Sequence, residues 1–346
     1  MVEIDGSYGE GGGQILRTAL SLSCLTGKPF RIYNIRKGRK KPGLMPQHLT
    51  GVLAAKRISG AEVGGGSIGS TELSFTPGEV KGGEYSFDTG TAGSTLLVLQ
   101  TILPALVSAN EGTVITLRGG THVPFSPSYH YIEGVFLPLL GRLGISVTLA
   151  IESYGFYPKG GGIIRAEIIP TGAEIIPLRN IERGTLYGIR GYSAVGNLPL
   201  SIAERQRKAL IEKITAVVGD VVSPGNFELL AVPTPGQGTF VYLQAESENS
   251  VAGFTALGQR GKRAEAVGEE TASDFLQYYA TNASLDPHAS DQIVLYLALC
   301  KEASEFTTSA VTRHLLTNLW VIGLFIDYRY SVDGEVGKPG RIKIQG

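Results

Sequence analysis

The sequence contains few of the residues that build covalent or metal-bound scaffolds. It has two cysteines in 346 residues, Cys24 and Cys300, and both lie in apolar segments of helical pattern. Two such thiols are more typical of inert core positions in a reducing cytoplasm than of a disulfide framework. Cysteine and histidine never recur at the spacing of a metal site. These absences argue against a disulfide-rich secreted fold and a zinc module, and they predict a cytoplasmic protein.

Net charge and long apolar segments are also lacking. The 31 basic and 31 acidic residues give a net charge of zero. No overall field therefore attracts nucleic acid, and a polyanion would have to be held by a local patch. Charged or small polar residues interrupt every long apolar run, so we expect neither a membrane span nor a signal peptide. Hydrophobic residues make up 42% and charged residues 18%, which is typical of a globular protein.

Histidine is scarce as well, so any histidine-based mechanism has few candidates. The five histidines are His48, His122, His130, His288 and His314. The alternation in "EFTTSAVTRH" predicts a strand that ends at His314, and the apolar run "LLTNLW" predicts a helix after it. A residue at such a junction can carry function on a rigid scaffold. The spacing alone leaves two interpretations open: a group that does chemistry, or a histidine at a helix start satisfied by neighbouring backbone.

Three segments of the sequence follow one plan, in which an extended opening precedes a helix, a strand, a second helix and two strands. The segment from about residue 183 to residue 273 breaks this pattern and reads strand, helix, strand, strand. We therefore predict an α/β (α+β) fold with three β-α-β-α-β-β units around a pseudo-threefold, formed by residues 1–182 and 274–346. Residues 183–273 are predicted to form a smaller inserted α/β domain.

The stretch "YGEGGGQILRTA" places a glycine-rich loop before the first predicted helix. Glycines let backbone N–H groups approach an anion, and a helix N-terminus adds partial positive charge. Gln14 and Arg17 are three residues apart and face the same side, and Glu10 could ligate a divalent cation that bridges phosphates. Lys-Ser/Thr does not follow, and Gln14 replaces the last glycine of a dinucleotide fingerprint. The alternative is a tight structural turn.

The stretch "RKGRKKPG", from Arg36 to Gly43, concentrates positive charge between a predicted strand and a predicted helix. Such a basic rim on a neutral protein suits a phosphate backbone, although it could be only a solvated loop. Tyr129, His130 and Tyr131 could stack on bases, or they could be core aromatics of a helix.

Taken together, these motifs resemble the RNA 3′-terminal phosphate cyclase family. The resemblance is carried by "DGSYGEGGGQILRTALSLSCLTG", "IRKGRKKPGLMPQHL", "RGGTHVPFSPS", "GFYPKGGG", "SDQIVLYLAL" and "HLLTNLWVI". They extend over essentially the whole chain in the order of the family. The resemblance implies an ATP-dependent ligase that converts an RNA 3′-phosphate to a 2′,3′-cyclic phosphate through a histidine adenylate. It also implies Mg²⁺ or Mn²⁺ as the metal and RNA 3′-phosphate ends as the partner.

The resemblance assigns roles to individual residues. His314 matches the nucleophile that accepts AMP, Arg17 and Arg39 match catalytic arginines near the phosphates, and Glu10 matches the metal ligand. The positions that match nucleotide contacts are Gln14, Arg36, Gln47, Gln100, Pro124, His288, Asp291 and Gln292. At residue 288 some members have a tyrosine that stacks on adenine, so a histidine leaves that contact in doubt.

Two other functions fit parts of the sequence. The family includes catalytically silent cyclase-like proteins of ribosome assembly, and an enolpyruvyl transferase could share the repeat plan. The presence of the nucleophilic histidine, the arginines and Glu10 favours the enzyme over the silent relative. The "HLLTN" motif and the insert count against the transferase.

Overall fold

The chain folds into four sheets of four strands each, within residues 1–172 and 174–346, which the computed structural model describes. Helices cover these sheets, so the α/β class predicted from the sequence is confirmed. Three of the four sheets have the same strand order, and the fourth belongs to the inserted segment. The three units that repeat in the sequence therefore share one sheet topology.

The first unit contains four strands and two helices: β1 (Val2–Asp5), α1 (Gly13–Thr26), β2 (Phe30–Tyr33), α2 (Pro46–Ser59), β3 (Glu62–Gly64) and β4 (Leu73–Thr76). The strands lie in the order β1-β2-β4-β3. β1 and β2 are parallel and are joined by α1, whereas β4 is antiparallel to both of its neighbours. Gly27 and Gly60 end the two helices at φ of 69° and 63°, a left-handed conformation that glycine adopts without strain.

The second unit repeats this arrangement. Its elements are β5 (Gly83–Asp88), α3 (Thr95–Leu106), β6 (Thr113–Gly119), α4 (Tyr129–Tyr131), α5 (Leu137–Arg142), β7 (Ser146–Ser153) and β8 (Gly162–Ile169). A π-helical turn at Ile132–Phe136 joins α4 to α5. The strand order β5-β6-β8-β7 again has one parallel pair and two antiparallel pairs. Ser94 begins α3 by accepting a hydrogen bond from the Leu97 N–H.

The third unit is split by the insert. Its first strand, β9 (Arg179–Asn180), is followed by the inserted elements β10 (Leu186–Gly196), α6 (Leu200–Val218), β11 (Phe227–Ala231), β12 (Gly238–Ser247), β13 (Val251–Leu257) and α7 (Ala264–Tyr279). The unit then continues with α8 (Pro287–Leu297), β14 (Ser304–Thr308), α9 (Arg313–Phe325), β15 (Arg329–Asp333) and β16 (Gly340–Gln345). β9 pairs in parallel with β14. The sheet order is therefore β9-β14-β16-β15, the order of the other two units.

The inserted sheet has its own hydrophobic core, and this core sets the extent of the insert. α6 and α7 pack on strands β10 to β13, and Phe275 and Tyr278 of α7 belong to the same apolar cluster as Val267. The boundary predicted at residue 273 lies inside α7, because one apolar face continues through that residue. We propose that the inserted unit extends to the end of α7.

An aromatic cluster joins the second unit to the inserted sheet. His122 stacks on Phe240 of β12 with ring centroids 4.1 Å apart, and His130 lies 4.7 Å from Tyr192 of β10. Both histidines are buried, and burial lowers their pKa values, that of His130 to about 4. His130 is therefore neutral in the folded protein at neutral pH.

The free energy of unfolding should depend on pH through His130. Because the folded pKa is about 4 and the ordinary value is 6.5, the unfolded chain binds the proton first as pH falls below 6.5. Buried Asp286 and Asp291 have raised pKa values and change stability in the opposite direction, so the comparison needs a matched variant. We expect wild type to lose about 2 kcal/mol relative to His130→Phe between pH 7 and pH 5. Denaturant unfolding of both proteins at the two pH values measures this, and a constant difference would contradict it.

Candidate active site

His314 is the second residue of α9, and it does not end a strand as the sequence alternation predicted. β14 ends at Thr308, and the chain then turns before the helix begins at Arg313. Thr312 is the N-cap, because its hydroxyl accepts a hydrogen bond from the Leu315 N–H at 2.9 Å. The N-cap is two residues before His314, so the alternation in the sequence continued past the true end of the strand.

The imidazole of His314 is oriented by Gln14 of α1. Gln14 Nε2 donates to the backbone carbonyl of His314 at 3.1 Å, which turns Gln14 Oε1 toward His314 Nδ1, and these two atoms are also hydrogen-bonded. An amide oxygen only accepts, so Nδ1 carries the proton and Nε2 keeps its lone pair. Burial, followed by the positive charges of Arg17 and Arg39, lowers the pKa of His314 below its ordinary 6.5. The imidazole is therefore neutral at neutral pH.

Arg17 lies one turn after Gln14 on α1 and lines the same cavity as His314. Its guanidinium is half-buried and makes no hydrogen bond or ion pair with any residue that the structure describes. Burial lowers its pKa to about 10, so it remains charged at neutral pH. A partly desolvated cation without a protein partner is suited to bind an anion.

Glu10 and Arg39 lie at the outer edge of the site. Arg39 Nη2 forms an ion pair with Glu10 Oε1, and Glu10 Oε2 is 3.7 Å from His314 Nδ1. A Cβ at Gly12 would lie 2.2 Å from Glu10 Oε2, so only glycine lets the carboxylate lie against the loop. Among the residues that the structure describes, no three His, Cys, Asp or Glu side chains are grouped as metal ligands. A single carboxylate is enough for a cation that phosphates also bind, but it is too few ligands for a cation that is bound by protein alone.

A cavity of about 910 Å³ extends from His314 toward the inserted unit. The predicted site residues that line it are Gln14, Arg17, Gln100, His288, Asp291, Gln292 and His314. They come from α1, α3, α8 and α9. Gln100 Nε2 donates to Gln292 Oε1 at 2.7 Å, which joins α3 to α8 across the cavity floor. The cavity volume is within the range of small-ligand sites.

The hydrogen bonds of Asp291 position α9. Its carboxylate accepts a hydrogen bond from the hydroxyl of Thr312, and its backbone carbonyl accepts from Asn318 Nδ2 at 2.6 Å. Asn318 Oδ1 in turn accepts from the hydroxyl of Thr18 on α1 at 2.8 Å. Burial raises the pKa of Asp291 well above its ordinary value. These contacts fix the first turn of α9, and with it His314, against α1 and α8.

Besides Glu10 and Arg39, three predicted site residues do not line the cavity. Arg36 donates through Nη1 to the carbonyls of Lys41 and Gly43, at 2.7 and 2.9 Å, and so holds its own loop together. Gln47 Oε1 accepts from the Ser94 N–H at 3.1 Å, at the start of α3. Pro124 is exposed beside the cavity.

Sequence reasoning missed several residues of the cavity wall. Phe125 follows Pro124, is fully exposed at 103%, and has a positive φ of 61°, an unusual conformation for a phenylalanine. The inserted unit contributes a second wall, whose polar members are Thr255, Asp274 and Gln277. Asn318 could have been found, because a polar residue inside the apolar run "LLTNLW" calls for a buried partner. Nothing in the sequence pattern indicates that the insert faces His314.

The aromatic run at residues 129–131 is core. Tyr129, His130 and Tyr131 are at most 8% exposed, so Tyr129 and His130 cannot stack on bases. Tyr131 reaches the cavity wall and donates its hydroxyl to Asp286 Oδ1 at 2.9 Å. Both cysteines are buried and unpaired, as predicted. In the described part of the chain, every helix is too short or too polar to cross a bilayer.

The sequence matches one protein family and relatives that have the same name as that family. The family model described as RNA 3′-terminal phosphate cyclase matches residues 8–332. Proteins named RNA 3′-terminal phosphate cyclase are 42% identical in Methylococcus capsulatus, over 100% of this chain and 97% of the relative, and 47% identical in Sulfolobus acidocaldarius, over 97% and 98%. The one from Thermococcus kodakarensis is 43% identical over 99% and 98%. The chain therefore belongs to the RNA 3′-terminal phosphate cyclase family of enzymes.

Proposed function

We propose that the protein converts an RNA 3′-terminal phosphate to a 2′,3′-cyclic phosphodiester with ATP as co-substrate, through a covalent His314–AMP intermediate. One observation carries the proposal: the imidazole of His314 is neutral, has a free Nε2, and stands at the edge of a cavity beside the unpaired Arg17. A neutral imidazole with one free nitrogen is a nucleophile toward phosphorus. Two free thiols in the core fit a reducing compartment and support a cytoplasmic location.

The first step is attack of His314 Nε2 on the α-phosphorus of ATP. The bond from that phosphorus to the bridging oxygen breaks, and pyrophosphate leaves. The base and ribose fit the cavity between α3 and α8, while Arg17 offsets the charge that develops on the phosphoryl oxygens. The reacting nitrogen loses no proton, because the only ring proton is on Nδ1.

The partner of Nδ1 explains why the adduct would remain reactive. Gln14 Oε1 is a neutral acceptor and cannot remove the Nδ1 proton, so the adenylylated ring remains a cation. Glu10, at 3.7 Å from Nδ1, offsets that positive charge. When the P–N bond breaks, a protonated imidazole ring leaves more easily than an unprotonated one. The arrangement therefore favours transfer of AMP to RNA over accumulation of an unreactive adduct.

The second and third steps use the same centre. An oxygen of the RNA 3′-phosphate attacks the α-phosphorus, the P–N bond breaks, and its electron pair returns to Nε2. The vicinal 2′-OH then attacks the RNA phosphorus, which releases AMP and a proton and leaves the cyclic phosphate. Because each displacement is in line, the RNA phosphate takes the place that pyrophosphate vacated.

One residue of this chain, Glu10, is suited to bind a divalent cation, Mg²⁺ or Mn²⁺. Glu10 Oε2 is 3.7 Å from His314 Nδ1, and this carboxylate would share the cation with the phosphates of the nucleotide. Arg39 is paired with the same carboxylate and would have to turn toward the phosphates when the cation binds. The cation would supply charge neutralisation at the phosphoryl oxygens.

The test follows one radiolabel through two transfers. We expect α-labelled ATP with a divalent cation to label the wild-type protein, and an RNA oligonucleotide with a 3′-phosphate to remove the label and become resistant to phosphatase. An oligonucleotide with a 3′-OH is the first control and should remove no label. One with a 3′-phosphate on a terminal 2′-deoxynucleotide should accept AMP but form no cyclic end. RNA binding without any labelling of the protein would favour the silent cyclase-like function.

A further inference from the structure

An exposed aromatic pair beside Glu10 takes no part in the proposed reaction. Tyr8, in the glycine loop, stacks on Trp320 of α9 with ring centroids 3.9 Å apart and planes at 20°. Tyr8 is 48% exposed, so about half of its surface is open to solvent. A large aromatic ring held flat at the surface is a surface on which another planar group can stack.

The pair lies close to His314 because the glycine loop runs alongside α9. The Glu10 N–H donates to the hydroxyl of Thr317 at 3.4 Å, and Tyr8, two residues earlier, reaches Trp320. Trp320 follows His314 by six residues, which is about 9 Å along a helix axis. The nucleotides next to a 3′ end held at His314 can therefore reach this pair.

Four basic side chains lie on the two segments next to the pair. Arg313 precedes Trp320 by two helical turns and so shares its face of α9. Lys37, Lys40 and Lys41 lie on the loop that contacts the glycine loop through Arg39. All four are exposed and form no ion pair within the part of the chain that the structure describes. Lys37 interacts electrostatically with the carboxylate of Asp5, which is also hydrogen-bonded by Ser7 and Asn34.

The pair is also on the correct side of His314 for RNA. Neither Tyr8 nor Glu10 nor Arg39 lines the cavity proposed for the adenosine of ATP. In-line displacement puts the RNA phosphate where pyrophosphate leaves, and the exposed Arg39 marks that side of the site. The chain upstream of that phosphate then extends over the glycine loop and its basic neighbours. This step rests on the proposed function.

We propose that Tyr8 and Trp320 form a stacking platform for a base just upstream of the RNA 3′ end, and that Arg313, Lys37, Lys40 and Lys41 hold the adjoining phosphates. Aromatic stacking combined with unpaired cations is how proteins bind single strands without reading their sequence. The protein should therefore favour 3′-phosphate oligonucleotides over a mononucleoside 3′-phosphate, with little preference for the base.

The test compares three variants on two substrates. Tyr8→Ala should raise the KM for a 3′-phosphate oligonucleotide by on the order of tenfold, while the KM for a mononucleoside 3′-phosphate stays within about twofold. Tyr8→Phe keeps the ring and should behave as wild type. Tyr330→Ala is the matched control, because Tyr330 is also 48% exposed and stacks on Tyr328 at 5.4 Å, but lies beyond the far end of α9. An equal KM for the oligonucleotide in Tyr8→Ala and Tyr330→Ala would overturn the proposal.

A binding measurement separates this inference from the proposed function. Trp320 is the only tryptophan of the chain, so its fluorescence reports on the platform alone. A 3′-phosphate oligonucleotide should quench it with saturation in the absence of ATP. If the wild-type protein cyclises RNA but its fluorescence is unchanged at saturating oligonucleotide, the stacking platform is contradicted and the proposed enzymatic function is not. Failure of wild type to cyclise any 3′-phosphate would instead sink the proposed function.

Discussion

His314→Ala is expected to abolish labelling of the protein by α-labelled ATP, a loss of at least about 1,000-fold, because no other nitrogen replaces the nucleophile. In the wild-type protein the label should be on a P–N bond, which is labile to acid and stable to alkali. The substitution removes a half-exposed side chain, so the variant should fold, and thermal unfolding checks this. A folded His314→Ala protein that still accepts label would show that the nucleophile is elsewhere.

The pH dependence of labelling gives a second measurement on the same residue. Burial and the nearby positive charges lower the pKa of His314, so the imidazole stays neutral to a lower pH than free histidine. The rate should therefore be constant at neutral pH and fall only as pH drops below 6.5, the ordinary value. A rate that falls with a midpoint above 6.5 would mean that the imidazole is protonated more easily than its surroundings allow.

Arg17→Met is expected to lower the rate of adenylylation by about 100-fold without lowering the free energy of unfolding. The loss follows because Arg17 lines the cavity beside His314, forms no ion pair with a described residue, and can offset charge on the phosphoryl oxygens. Stability should hold or rise, since methionine fills the same space without a half-buried charge that lacks a protein partner. Single-turnover labelling and denaturant unfolding measure the two quantities.

The control for Arg17 is an arginine with the same lack of partners in another place. Arg118 on β6 is exposed, forms no ion pair among the described residues and lies outside the cavity, so Arg118→Met should keep the wild-type rate. A fall in both rate and stability for Arg17→Met would indicate a structural role. An unchanged rate would remove Arg17 from the phosphate site.

The sequence predicted the architecture well because repetition is a property of pattern. The helix, strand, helix, strand, strand order of each unit and the glycine loop before α1 follow from periodicity and local residue preference. The sequence did not predict β13, α7 or the position of β9 ahead of the inserted segment. The sequence was less reliable at junctions. The strand predicted to end at His314 ends at Thr308, because the hydroxyl of Thr312 caps a helix that begins earlier. The insert boundary at 273 was placed inside α7, which one apolar face continues to Tyr279.

The candidate site can also be divided into features that the sequence determined and features that the tertiary structure decided. The sequence by itself determined the chemical groups: one imidazole at a helix start, an arginine and a glutamine three residues apart, and a glutamate among glycines. Only the tertiary structure decided what each group can do. Gln14 and His314 are 300 residues apart in the chain, yet their contact leaves Nε2 as the free nitrogen. Arg36 was predicted at the phosphates, but carbonyls of its own loop hold it. Reactivity depends on which partners are in contact and which are missing, and such contacts between distant segments are made by packing, which local pattern does not encode.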